Sequence, residues 1–376
     1  MSVTTMILFF VPALLSAAPL YFSAWGFRLD LPEGYTLAEG NNKDRYSFQG
    51  PQGGPLGARF DIAVYQGVYP DVAQLASDIE RRLGNKGDIA FFEYGTKAAA
   101  LMELRFGDVT GWGLCTELGD VNANGVIPLL VALSYAPALP AGKTDMDLYH
   151  LSALDSLAPS EAEKRYPGPV MEFSYPRGSP RETAIAGTNL KAMIRENDAE
   201  AAQALIDREF ALLRAYQSTP DWQEAWIRFY RMICRDSWDR VADALSQLER
   251  NWNKGANKRA FAEKALVFVQ GFQYERNLAG SDFVNLVSAV TEGRGDCDSR
   301  AMIWAMILTQ ARIPAAIMVS RDYSHAMGLA DVSGSGARFK AGGTNWLVAE
   351  TTAKVGIGSI SKDMSNTASW LGVLFY

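Results

Sequence analysis

The sequence predicts an α+β protein of several domains, and three observations carry that expectation. Apolar and polar residues alternate in short segments through residues 26–158, as in half-buried antiparallel strands. Residues 189–259 instead repeat their apolar positions at helical spacing. Residues 260–376 combine helical segments with a second alternating series broken by glycines.

Taken in order, residues 27–31 (FRLDL) alternate strictly before Pro32, Glu33 and Gly34 turn the chain. Residues 45–48 and 58–65 repeat the pattern. Residues 72–83 (VAQLASDIERRL) gather their apolar side chains on one face, which predicts a short amphipathic helix. Strands are expected again over 89–94, 98–106, 111–118 and 128–135, and a helix over 148–157 closes this α+β domain. Residues 159–188 read as a Pro/Gly-rich linker without a helix, because Pro159, Pro167, Pro169, Pro176 and Pro180 each remove a backbone donor. Helices are expected over 190–194, 198–216, 222–235 and 241–252, with Asp198 as an N-cap. Trp222, Trp226 and Tyr230 recur every fourth residue and read as a core stripe. In the last domain, helices over 260–272 and 297–310 precede strands over 313–320, 325–332, 345–350 and 355–360. Gly328, Gly334, Gly336, Gly342 and Gly343 are expected in the turns between those strands.

Composition narrows the function classes. A formal net charge of −6 and the absence of a dense basic block give no electrostatic reason to expect nucleic-acid binding. Cys115, Cys234 and Cys297 are too few and too scattered for a disulfide framework, and an odd count leaves at least one free thiol. Within residues 1–25, the apolar run 6–15 is of signal-peptide length and is followed by Ser16, Ala17 and Ala18. Export to a periplasmic or other external compartment is the first expectation. An uncleaved anchor, giving envelope or membrane association, is the second, and a buried N-terminal strand or helix the third. No P-loop or dinucleotide fingerprint appears, and no cofactor is expected. The stretch 120–125 resembles the start of an EF-hand loop, but Val131 stands where the closing Glu belongs, so no calcium is expected. Asp296 and Asp298 around Cys297 lack the further Cys or His of a zinc site. Arg294-Gly295-Asp296 spells an adhesion tripeptide, but the turn before the following helix already accounts for it.

Scarcity locates the chemistry. The chain has two histidines, so a thiol enzyme with an imidazole base must use His150 or His325. His150 lies inside an apolar helical segment and reads as structural, whereas His325 opens a strand. Cys115 and Cys234 sit in apolar strand and helix contexts and read as inert small hydrophobes. Cys297 follows what reads as an exposed turn at Gly293 and Gly295, and it stands at the start of an apolar helix. There the helix dipole and unpaired N–H groups are expected to favour thiolate and to stabilise an oxyanion. Asp298 is expected to cap that helix. Glu350 ends a strand, and one hairpin between it and His325 would bring its carboxylate to the imidazole.

The segments Phe268-Val269-Gln270, Gly295-Asp296-Cys297-Asp298-Ser299, Ser324-His325-Ala326-Met327-Gly328 and Ala349-Glu350-Thr351-Thr352 together resemble the bacterial transglutaminase-like family. The resemblance is confined to residues 260–376. It implies a papain-related core in which the nucleophilic cysteine starts a helix and the histidine and acid lie on adjacent strands. It assigns Cys297 as nucleophile, His325 as base and Glu350 as orienting acid, the last where the family more often has Asp. It also points to Gln270 or Tyr274 as a neighbour of the oxyanion hole, without choosing between them. The activity implied is that of a thiol enzyme working on amide bonds of a protein or peptide through a thioester. The other reading is a non-catalytic binding or envelope-scaffold protein that keeps the fold.

Overall fold

The computed structural model describes residues 19–50, 57–119, 125–138, 146–253, 257–276 and 281–375. The chain is α+β and divides into two units, Met1–Glu161 and Ala162–Tyr376.

The first unit opens with the antiparallel pair β1 (Leu20–Phe22) and β2 (Phe27–Leu29). Its main sheet comprises β3 (Thr36–Gly40), β4 (Arg45–Gln49), β5 (Arg59–Tyr65), β6 (Ile89–Tyr94), β7 (Lys97–Phe106), β8 (Val109–Glu117) and β9 (Leu129–Pro137). These seven strands pair antiparallel in the order β3-β4-β5-β9-β8-β7-β6. Helix α1 (Val72–Leu83) is capped by Asp71, whose side chain accepts from the Gln74 N–H, and ends at a left-handed Gly84. It buries Val72, Leu75, Ala76 and Ile79 against the sheet. Helix α2 (Asp147–Asp155) carries His150. Strand β3 was not expected: it is an exposed edge strand with a register shift between Leu37 and Glu39, which erases alternation. Residues 1–18 and 120–124, which include the apolar N-terminal run and most of the EF-hand-like stretch, lie outside the described residues.

In the second unit the expected linker is structured. A 3₁₀ turn at Ala162–Arg165 leads to α3 (Pro169–Ser174), in which Pro169 occupies the first turn, where its missing N–H has no helical partner to lose. β10 (Pro180–Ala184) then pairs antiparallel with β11 (Lys191–Arg195). The helix expected over 190–194 is therefore a strand: Ala192 and Ile194 alternate inward, and one helical turn cannot repay its own nucleation. Helices α4 (Asp198–Tyr216), α5 (Trp222–Arg240), α6 (Ala242–Trp252) and α7 (Lys258–Gln270) follow. Asp198 is the first helical residue of α4 rather than its cap, and its carboxylate accepts from the Arg195 N–H at 3.0 Å. Buried ion pairs tie α5 down. Arg228 meets Glu209 of α4 at 2.8 Å, and Arg240 meets Asp236 at 2.8 Å and Asp198 at 2.9 Å.

The remaining elements are β12 (Gln273–Tyr274), α8 (Leu286–Glu292), β13 (Arg294–Gly295), α9 (Cys297–Gln310), β14 (Ala315–Ser320), β15 (His325–Ala330), β16 (Arg338–Ala341), β17 (Thr344–Ala349) and β18 (Leu371–Leu374). β14 to β18 form an antiparallel sheet in the order β16-β17-β15-β14-β18. Helix α9 is apolar all round from Ala301 to Leu308 and is accordingly buried all round, packed among α6, α7, α8, β14 and β15. The strand expected over 355–360 is a loop, since Gly358 takes φ +92, and β18 supplies the fifth strand instead.

Gly328 is not in a turn. It lies within central strand β15, paired with Ile317 and Ala349, and a Cβ there would stand 2.3 Å from Trp304 Cε3. Trp304 is fully buried and its Nε1 donates to the Ala262 carbonyl at 3.0 Å, so the ring has no room to retreat. Gly328→Ala is expected to destabilise the protein by about 2–3 kcal/mol through overpacking, read as a lower urea midpoint at unchanged slope.

Candidate active site

The site forms where α9 and β15 begin. Asp296 is the N-cap of α9: its Oδ1 accepts from the Ser299 N–H at 2.8 Å and the Ser299 hydroxyl at 2.6 Å. Asp296 caps rather than Asp298 because its backbone is extended, at ψ −170, while Asp298 is already within the first turn. The preceding segment is not an exposed turn. Gly293 ends α8, and Gly295 is buried in β13, which pairs parallel with β12. Cys297 is thereby the first residue of the helix, 5% exposed.

His325 is the first residue of the central strand β15, and Glu350 follows the end of β17 beside it. The ring Nε2 lies 2.8 Å from Glu350 Oε2. The second carboxylate oxygen accepts from the Thr352 N–H at 2.7 Å and the Thr352 hydroxyl at 2.6 Å. Burial raises the Glu350 carboxyl, but hydrogen bonds from His325 and Thr352 outweigh it and bring the pKa down to about 2. An ionised carboxylate only accepts, so Nε2 carries the proton shared with Glu350, and in the neutral ring Nδ1 keeps the lone pair. Ser324, just before the histidine, holds the left-handed φ of 47, and Trp370 stacks edge-on with the ring at 6.3 Å. Nothing in the sequence marked Trp370.

Cys297 and His325 line one cavity of about 290 Å³ in the second unit. Its apolar wall is Phe210, Trp222, Trp226, Phe229, Tyr230 and Phe283. The Trp222–Trp226–Tyr230 set expected as core therefore faces this cavity, with ring centroids 6.1 and 6.2 Å apart. Its periodicity located the face correctly; what that face opens onto is set by the neighbouring α9. Asp282, Asp296 and Asp298 also line the cavity, with Arg276 and Arg321.

Against the expected pull of the helix dipole toward thiolate, the thiol's surroundings favour the protonated form. Burial raises the Cys297 pKa first, and the neighbouring Asp298 and Asp296 raise it further; a backbone N–H of Ala326 pulls weakly the other way. The thiol donates to Asp298 Oδ2 at 3.3 Å, and the Tyr230 hydroxyl donates to Asp298 Oδ1. Burial likewise lifts Asp298, and burial together with Asp298 holds Asp296 well above the usual carboxylate range.

The other sequence candidates separate. Gln270 spends its amide on the backbone, donating from Nε2 to the Glu350 carbonyl at 2.8 Å and the Val355 carbonyl at 2.9 Å. It thus holds the acid's main chain rather than offering a donor to the cavity. Tyr274 is 52% exposed, pairs beside Gly295 and lies under the Arg300 guanidinium. Neither residue is among those lining the cavity. His150 is buried in α2 with Nδ1 2.9 Å from Ser134 Oγ. All three cysteines are free thiols, and burial pushes Cys115 and Cys234 each up to about 12. Among the described residues no group of three or more His, Cys, Asp or Glu could hold a metal ion, and no helix is long and apolar enough to cross a membrane. The chain matches no protein-family model and no curated protein.

Two outcomes are expected from these electrostatics. Glu350 falls from an ordinary 4.5 to about 2, so its ionised form stabilises the fold fully above pH 4.5 and loses that contribution as pH drops toward 2. The difference between wild type and Glu350→Gln in denaturant stability should be on the order of 3 kcal/mol at neutral pH and shrink through that acid window. Asp298→Asn removes the charge next to the thiol, so Cys297 alkylation by iodoacetamide at pH 7 should accelerate by about tenfold, read by peptide mass spectrometry.

Proposed function

We propose that the second unit is a thiol enzyme of the transglutaminase-like, papain-related type, acting on amide bonds of a protein or peptide. The observation that carries this reading is the His325–Glu350 hydrogen bond at the wall of the cavity that Cys297 also lines. It leaves the basic Nδ1 as the ring atom available to the thiol. In the reaction, Nδ1 takes the thiol proton, and the sulfur adds to the substrate carbonyl. The N–H groups of Cys297 and Asp298 at the start of α9, ahead of the capped Ser299 N–H, stabilise the oxyanion. The imidazolium returns its proton to the leaving amine, giving a thioester. Water, deprotonated by the same ring, then releases the acid, or an amine takes the acyl group. The resting thiol is neutral and held by Asp298, so this pair works by proton transfer on substrate binding rather than from a standing ion pair. The apolar run at 6–15 supports an exported location for this chemistry.

The second reading, a non-catalytic binding or scaffold protein, is favoured by one observation, the raised thiol pKa. A thiol-directed activity probe separates the two. Labelling of Cys297 that exceeds Cys115 and Cys234, and that falls by about a thousandfold or more in His325→Ala, supports the enzyme. Cys297→Ala should abolish both labelling and any peptide-amide hydrolysis. Equal, slow labelling of all three cysteines would sink the enzyme in favour of the scaffold.

A further inference from the structure

The cavity has an electrostatic imbalance that points to its substrate. Asp296 and Asp298 lie side by side in it, and among the described residues no Lys or Arg pairs with either. Asp296 is 1% exposed, and its Oδ2 has no hydrogen-bond partner. Among the described residues Asp298 is met only by the Cys297 thiol and the Tyr230 hydroxyl, and burial lifts both carboxyls toward their neutral forms, a cost that a cation in the cavity would remove. The two arginines at the cavity are otherwise engaged: Arg276 grips Asp282, and Arg321 lies over the Trp222 ring at 5.7 Å. The aromatic wall that shares the cavity with the carboxylates supplies the second half of a cation site, since a ring quadrupole attracts ammonium and guanidinium groups. An anionic substrate would meet like charge at Asp298 beside the sulfur, and a purely apolar one would leave Asp296 Oδ2 unsatisfied.

We propose that this cavity selects an acyl donor bearing an ammonium or guanidinium group, held between the aromatic wall of α5 and the carboxylates of Asp296 and Asp298. The proposal rests on the thiol-enzyme reading and adds to it a link between recognition and activation. Asp298 is the acceptor that holds the thiol proton at rest. When the substrate cation donates to Asp298, the thiol loses that acceptor. Its S–H bond then breaks toward His325 Nδ1, giving thiolate and imidazolium, while Asp298 stays ionised against the cation. Asp298 is thus a specificity and positioning residue, and Asp296 completes the cation's shell.

Two measurements on the full chain test this. The first labels Cys297 with methanethiosulfonates carrying a trimethylammonium, a neutral methyl or a sulfonate group. Each forms a mixed disulfide and releases a sulfinate. The cationic reagent should react about tenfold faster than the neutral one, and the anionic one more slowly still. That ratio should collapse toward unity in Asp298→Asn and fall in Asp296→Asn, which keeps a capping side chain. Ratios are read because the variants also shift the thiol pKa, which changes all three rates together. The second compares peptide amides with lysine or norleucine on the acyl side, each with a free or acetylated α-amine, and so tells a side-chain cation from an N-terminal one. A preference for lysine or for the free amine of about tenfold in kcat/KM, lost in Asp298→Asn, supports the proposal. Equal labelling by the three reagents, or equal turnover of lysine and norleucine amides in both amine forms, overturns it while leaving the thiol enzyme standing. Charge-selective labelling without hydrolysis of any amide has the opposite meaning: the cation site holds and the enzymatic reading falls.

Discussion

The approach of α9 to β15 through Trp304 and Gly328 sets the geometry on which the second unit's site depends. Trp304 lies seven residues into α9 from Cys297, and Gly328 three residues into β15 from His325. At helical and strand rises both paths are about 10 Å. The two elements run in the same direction, since Cys297 meets the Ala326 N–H at their starts and Trp304 meets Gly328 further along both. One close contact in the core therefore delivers the thiol and the imidazole to the same cavity. Glycine is required at the contact because the indole occupies the space a Cβ would take.

The acid arrives by a separate route. β17 pairs with β15, Gly328 opposite Ala349, so the residue after β17 reaches the start of β15. Thr352 and Gln270 then hold that residue, one by its carboxylate and the other by its carbonyl. The result is a histidine with a defined tautomer. The thiol is treated in the opposite way: flanking carboxylates and burial keep its proton on, and Asp298 gives that proton a place to rest. The imidazole is held in place while the thiol keeps its proton.

Part of the cavity's apolar wall comes from α5, a helix held to α4 by ion pairs as well as by apolar packing. Arg228 with Glu209, and Arg240 with Asp236 and Asp198, are buried and mutually satisfied. Removing one partner of such a pair leaves an uncompensated buried charge, so these contacts constrain where the helix can lie. Trp222, Trp226 and Tyr230 of the same helix line the cavity in which Cys297 lies.

Local chemistry was readable from the sequence wherever neighbours along the chain decide it. Helices α1 and α9 have the expected bounds, because amphipathic periodicity in one and a capped, wholly apolar run in the other are local properties. The scarcity of histidine and the setting of Cys297 likewise named the two residues that share the cavity. Tertiary structure alone decided the rest. The prolines of 159–188 suited a first helical turn and a hairpin start, and 190–194 became a strand because β10 was there to pair with it. Gly328 serves packing rather than a turn, since the ring it accommodates is distant in sequence. Asp296 took the cap from Asp298, which freed Asp298 to hold the thiol. The two carboxylates that flank Cys297 are legible in the sequence, but the burial that raises the thiol's proton affinity first, and raises the carboxyls with it, came only from the tertiary structure.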